Sequence, residues 1–270
     1  MKLLKPFTEA DSPRWLLSFD FDGTLVDPDE DPAVSADFFE LMKEMRSAHK
    51  SCWGINTGRS LMQAVQGLID ARFPILPDYI IAREREIYLP NKFGRWVGNE
   101  DWNKRCEREH HKLFRQCRKV LKGLKQWVED ETAAVWGIQK EEPAGIVAST
   151  ASEMDMIVRK IDGEIESKTS LSYQRNGIYL RFSHKHFHKG TAMLEVARLM
   201  GLSKQHAFAV GDSHNDLDML DPEMAEMLAC PANACPEVKL QVARVGGYVA
   251  TRKASRGVVD ALRAHFADKK

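Results

Sequence analysis

Four short polar clusters punctuate the 270-residue chain: Asp20-Phe-Asp22-Gly-Thr24, Thr57-Gly58-Arg59, Lys189-Gly190 and Gly211-Asp212-Ser-His-Asn215-Asp216. Together they supply four carboxylates, one lysine and several hydroxyl and amide donors. The chemistry that needs such a set is a phosphate ester handled with a divalent cation. Hard carboxylate oxygens hold Mg²⁺ octahedrally, and the ion in turn neutralises phosphate oxygens. Without that cation, two acids facing a phosphate dianion in a partly desolvated cleft repel it by on the order of several kcal/mol.

Sites of this kind form where clusters sit outside the carboxyl ends of parallel strands, so the flanking pattern matters. Residues 14–19 form a short apolar run ending at Asp20, and Cys52-Trp-Gly-Ile55 is a second run ending at Asn56-Thr57. Between them Phe38, Leu41, Met42 and Met45 recur at helical spacing. Leu61, Val65, Leu68 and Ile69 do the same before a third strand, Tyr79–Ala82. This alternation predicts a parallel sheet with covering helices. The rhythm then breaks into a hairpin over residues 87–97 and a long helical pattern from Trp102 to Val128. Strands at 133–138 and 146–148, a helix around Met154–Ile161 and a strand pair about the Asn176-Gly177 turn follow. From Gly190 the α/β alternation returns, with Gly201 closing a helix and Ala207–Val210 a strand that ends at Gly211-Asp212. The expected organisation is an α/β core from residues 1–91 and 186–270, with an α+β unit inserted at 92–185.

Lys and Arg number 39 against 39 Asp and Glu, so bulk positive charge does not suit the chain to nucleic acid or anionic membranes. With 43% apolar and 29% charged residues the composition is that of an ordinary globular protein. No apolar run approaches membrane-spanning length, and the first residues lack the apolar stretch of a secretory leader. Five cysteines without a CxxC pair suit reduced thiols. The expectation is a cytoplasmic protein, monomer or homodimer, whose partner is a small phosphorylated substrate.

The clusters resemble the motifs of the haloacid dehalogenase superfamily. Asp20-Phe-Asp-Gly-Thr-Leu25 is similar to its first motif DxDG[TS]L, Thr57 to its second, Lys189 to its third, and Gly211–Asp216 to its fourth, GDSxND. The resemblance implies a Rossmann-like parallel-sheet core with an inserted α+β cap of type IIB. Asn56-Thr-Gly-Arg-Ser60, Pro77–Ile81 and Glu86-Ile-Tyr88 resemble the sucrose-phosphate phosphatase and Cof-like branch. Carried over by position, Asp20 is the nucleophile and Asp22 the acid–base group, while Thr57 and Lys189 hold phosphoryl oxygens. Mg²⁺ is expected on Asp20, the Asp22 main-chain carbonyl and Asp212, with Asp216 and Asn215 in support. Gly58, Arg59, Asn215, Glu86 and Arg181 are the expected phosphate- and substrate-binding residues, the last two reading the organic moiety. Two positions depart from the pattern: Glu84-Arg85 stands where the sucrose-phosphate branch has Gly-Thr, and His214 stands where a small residue is usual.

Other features admit plainer explanations. His184, His186 and His188 alternate and could present three imidazoles to zinc, or simply form a solvated connection. The basic run Lys112, Arg115, Arg118, Lys119 and Lys122 reads first as a solvated helical face. Trp96, Trp102, Trp127 and Trp136 read as core of the insertion rather than a stacking platform. The activity expected is a Mg²⁺-dependent phosphatase acting on a sugar phosphate through an aspartyl-phosphate. A phosphomutase with the same nucleophile and a zinc hydrolase built on the histidine run are the alternatives.

Overall fold

A computed structural model describes residues 12–139, 142–165 and 169–267. The expectation about a leader falls on residues 1–11, outside the described residues. The chain divides into two compact units, residues 1–103 with 189–270, and residues 104–188.

The first unit opens with β1 (Trp15–Phe19), α1 (Ala36–His49), β2 (Ser51–Asn56), α2 (Leu61–Asp70) and β3 (Tyr79–Ala82). It continues through β4 (Glu86–Pro90), β5 (Trp96–Gly98) and the start of α3 (Glu100–Gln116). After the insertion come α6 (Lys189–Leu199), β10 (Ala207–Val210), β11 (Met227–Cys230), α7 (Pro236–Arg244), β12 (Tyr248–Val249) and α8 (Ala254–Phe266). Eight strands line up as β12-β11-β10-β1-β2-β3-β4-β5, parallel from β12 to β3 and antiparallel at β4 and β5. The strands β1, β2, β3, β10 and β11 are buried along nearly their whole length, as sheets covered on both faces are. Leu17, Phe19, Trp53, Ile55, Phe208 and Val210 from the sheet join α1, α2 and α8 in one hydrophobic cluster.

The second unit holds most of α3, then α4 (Arg118–Glu131), β6 (Val135–Gln139), β7 (Glu142–Val147), α5 (Ala151–Glu164), β8 (Leu171–Asn176) and β9 (Tyr179–His184). Its antiparallel sheet runs β6-β7-β9-β8. Leu124, Val128, Ile146, Met154, Ile157, Leu180 and Phe182 form its core, with Trp127 and Trp136 packed against it. This α+β insertion within an α/β core is the expected fold class.

Three expectations shift. The hairpin over residues 87–97 extends the first unit's sheet, because β4 pairs with β3 and β5 with β4. The boundaries therefore fall after Asn103 and after His188 rather than after residues 91 and 185. Trp96 and Trp102 go with the first unit: Trp96 packs on the sheet cluster, and Trp102 Nε1 donates to the Arg85 carbonyl at 2.7 Å. The single long helical pattern is two helices meeting at Cys117. No helix among the described residues is long and apolar enough to cross a membrane.

A close contact fixes the middle of the sheet. Tyr79 is fully buried and its hydroxyl donates to the Leu17 carbonyl at 2.9 Å, across β2. The ring lies against Gly54, where an added Cβ would stand 2.5 Å from its carbons. We expect Gly54→Ala to cost about 1–3 kcal/mol through overpacking. Urea unfolding checks this: the midpoint should fall with the slope unchanged, and a wild-type midpoint would contradict it.

Candidate active site

Strand order explains why residues distant in sequence meet. In the sheet β1 lies between β10 and β2, so their carboxyl ends stand side by side at the spacing of paired strands. Asp20 follows β1, Thr57 follows β2 and Asp212 follows β10. The N-terminus of α6 brings Lys189 to the same edge, held there by Asn56 at the end of β2, whose amide donates to the Lys189 carbonyl at 3.0 Å.

Lys189 is completely buried, and its ammonium donates to Asp20 Oδ1 at 2.5 Å and to Asp216 Oδ1 at 2.6 Å. Asp216 Oδ2 accepts the backbone N–H groups of Asp212 and Ser213, both at 2.9 Å, which folds the loop after β10 into a tight turn. Asp212 Oδ1 accepts from Thr24 Oγ1 at 2.6 Å, joining that turn to the loop after β1. Gly23 permits the approach. Its φ of +81° is left-handed, and a Cβ there would stand 2.6 Å from Asp212 Oδ2.

Asp20, Asp212 and Asp216 crowd around one ammonium, and the acidity of Asp20 and Asp212 shows it. Burial, then the neighbouring Asp216, push Asp20 well above the usual carboxylate range in spite of Lys189. Burial and Asp216 likewise raise Asp212 to about 6. Burial alone would lower Lys189, but Asp20 and Asp216 outweigh it and hold the ammonium charged. Oxygens of Asp20, Asp212 and Asp216 lie within 4.8 Å of one another. An oxygen-only donor set with excess negative charge fits a hard divalent cation such as Mg²⁺.

Asp22 stands apart from this cluster. It is half exposed, and Arg59 grips its carboxylate with two hydrogen bonds, Nε to Oδ2 at 2.8 Å and Nη2 to Oδ1 at 2.6 Å. The Arg59 guanidinium also lies over the Phe21 ring at 4.9 Å. The side chain of Asp22 is thus not among the converging carboxylates. The loop Thr57-Gly58-Arg59 is fixed by Thr57 Oγ1, which accepts from the Arg59 N–H at 3.2 Å, and by the capping box of Ser60 and Gln63 that starts α2.

Of the other expected residues, Asn215 is buried and its amide donates to Glu84 Oε1 at 2.8 Å. Glu86 accepts from Arg83 Nη1 at 3.2 Å and from the Tyr88 hydroxyl at 2.9 Å. Arg181 lies on β9 in the second unit, in register with Gly145 and Gln174. Sequence reasoning gave no site role to Glu84, Thr24 or Asn233. Arg83 and Glu84 take left-handed angles (φ 48° and 65°), which turn the Glu84 N–H onto the Thr57 carbonyl at 2.9 Å. Asn233 donates to the Gly23 carbonyl at 2.7 Å and accepts from the Ala254 N–H. Short-range pattern carries no signal for these long-range polar contacts.

The histidine run does not build a zinc site. His184 Nδ1 accepts the His186 backbone N–H at 3.1 Å, and the His184 N–H is itself taken by His110 Nε2 at 3.2 Å. Among the described residues the run is absent from the groups whose donors converge. The His184 imidazole is used instead by the His186 backbone N–H and by ring packing on Phe187.

Residues 65–262, more than half of the chain, match the family of haloacid dehalogenase-like hydrolases. The chain belongs to that family. A phosphoglycolate phosphatase from Methanoculleus marisnigri is 61% identical over 33 residues, which span 12% of this chain and only 14% of that relative. Among solved structures, the sucrose-phosphatase of Synechocystis sp. PCC6803, bound to sucrose and phosphate, aligns with a TM-score of 0.71 at 17% identity. That alignment covers 94% of this chain and 98% of the other. A subclass IIB sugar phosphatase of the superfamily aligns with a TM-score of 0.61 at 15% identity, over 94% and 99%. These likenesses show the fold, a haloacid dehalogenase core with a type IIB insertion.

The charge arithmetic yields a test. Removing one partner of a buried ion pair leaves the other uncompensated, so Lys189→Met should cost about 3–5 kcal/mol of stability at neutral pH. Denaturant unfolding measures it, and a loss below about 1 kcal/mol would show that the ammonium is not what makes the cluster tolerable.

Proposed function

We propose that the protein is a Mg²⁺-dependent phosphatase that hydrolyses a small phosphorylated metabolite, a sugar phosphate, through an aspartyl-phosphate on Asp20. The observation that carries this reading is the buried Lys189 ammonium bridging Asp20 and Asp216, with Asp212 hydrogen-bonded beside them. Lys189 holds one oxygen of Asp20, which leaves the second to attack phosphorus while the alkoxide departs. Lys189 and Thr57 bind the equatorial phosphoryl oxygens, supported by the Gly58–Arg59 loop. Asp22 protonates the leaving oxygen and then takes a proton from the water that cleaves the aspartyl-phosphate. Asp22 is parked on Arg59 in the structure, and a side-chain rotation releases it for this role.

Asp20, the Asp22 main-chain carbonyl and Asp212 would hold Mg²⁺, with Asp216 and Asn215 orienting them. The bound ion supplies charge neutralisation of the phosphoryl oxygens. The named activities of the relatives, sucrose-phosphatase above all, make sugar phosphates the class to test first. The cluster can address only metal and phosphoryl group, so selection of the organic moiety is assigned to polar side chains outside it, Glu86 and Arg181.

A phosphate-release screen over phosphorylated metabolites with Mg²⁺ should give the highest kcat/KM on sugar phosphates, and chelation should abolish turnover. Asp20→Asn keeps the shape but removes the nucleophile, so turnover should drop at least ~10³-fold. Near-normal phosphate release by Asp20→Asn would sink the mechanism. Asp22→Asn should impair alkyl phosphates far more than p-nitrophenyl phosphate, whose leaving group needs no proton. Equal losses on both would make Asp22 a structural residue only.

A further inference from the structure

Beside the carboxylate cluster lies a second group of donors of different chemistry. His214 sits in the turn after β10, Cys235 caps α7 and Glu237 lies in the first turn of that helix. Cys235 Sγ is 4.0 Å from His214 Nδ1, and Glu237 Oε2 is 3.5 Å from His214 Nε2. Taking one ligand atom from each residue, a single ring nitrogen, the sulfur and a carboxylate oxygen lie within 4.8 Å of one another. Among the described residues this is one of two groups whose donors converge in this way, the other being Asp20, Asp212 and Asp216.

We propose that His214, Cys235 and Glu237 form a second metal site, selective for a borderline-soft divalent cation of the Zn²⁺ kind. Thiolate and imidazole donors favour such an ion strongly over Mg²⁺, which prefers oxygen alone. Tetrahedral zinc with ordinary bond lengths sets its nitrogen and sulfur ligands roughly 3.5 Å apart. The side chains therefore need to close by less than an ångström between His214 and Cys235. Glu237 is exposed and His214 partly so, which gives the ion a path in. Three protein ligands leave the fourth position to water. Ligation displaces the thiol proton to solvent.

The site is tied to the carboxylate cluster through the backbone. The Cys235 N–H donates to the Asp212 carbonyl at 2.8 Å, and His214 stands between Asp212 and Asp216 in the same turn. An ion there clamps that turn to the start of α7. The proposal does not rest on the phosphatase reading, and it would hold for a binding protein of the same fold.

Co²⁺, a spectroscopic stand-in for Zn²⁺, tests it on the full chain kept in excess Mg²⁺. The expected result is a near-ultraviolet thiolate-to-cobalt band saturating at one ion per chain and erased by stoichiometric Zn²⁺. The other four cysteines are buried, so Cys235 is the accessible source of that band. Cys235→Ser should abolish it, and His214→Ala and Glu237→Gln should each weaken Co²⁺ binding at least ~10-fold. Circular dichroism should confirm that the variants fold. Absence of the band in the wild-type protein overturns the proposal whatever the variants do. Persistence of the band in Cys235→Ser, or unchanged affinity in His214→Ala, overturns it equally.

Discussion

Everything at the carboxyl edge of the sheet depends on one buried ammonium. Lys189 is fully enclosed and touches both Asp20 and Asp216. Without it three acids would face one another in a desolvated space, and their mutual repulsion would open the loops that carry them. With it, Asp216 is free to use its second oxygen on the backbone of Asp212 and Ser213. Asp212 in turn reaches Thr24. The chain of contacts runs from α6 to the loop after β10 and on to the loop after β1. One ammonium against three carboxylates still leaves an excess of negative charge, which adds to burial in keeping Asp20 and Asp212 hard to ionise, burial being the larger cause. A divalent cation would remove that excess, which is why the electrostatics that shape the loops support the proposed metal dependence.

The topology answers a packing problem first. Short apolar runs such as Leu16–Phe19 and Ala207–Val210 are buried on both faces, and parallel pairing of β10, β1 and β2 is how they are covered. Polar residues can only follow such strands, and the strand order then brings three polar ends together. This is why the core of the candidate site could be read along the chain. Each cluster stands directly after an apolar run, and helical spacing of Phe38, Leu41, Met42 and Met45 marked the covering layer.

What escaped the sequence has physical causes. Met227–Cys230 contains no β-branched residue and so carries little strand propensity, while Tyr248–Val249, although both residue types favour strands, is only two residues long and too short to show a pattern. They are strands because β11 pairs with the edge that β10 offers, and β12 in turn pairs with β11. The hairpin of β4 and β5 was visible, but which sheet it joined was not, since pairing with β3 is a tertiary choice. Glu84 looked like a departure from a family pattern, yet it is buried and accepts the Asn215 amide. Asp22 and Arg59 were both expected at the site, and their mutual ion pair was invisible because 37 residues separate them. His214 and Cys235 are likewise 21 residues apart and meet only through the fold.

In the proposed mechanism Asp20, held by Lys189, becomes covalently phosphorylated. The most direct measurement is acid quenching during Mg²⁺-supported turnover of p-nitrophenyl phosphate, followed by borohydride reduction and peptide mass spectrometry. An acyl phosphate at Asp20 is reduced to homoserine, so the account predicts homoserine at position 20 and at no other acid. Active turnover with Asp20 recovered intact, or with homoserine at another aspartate, would contradict it.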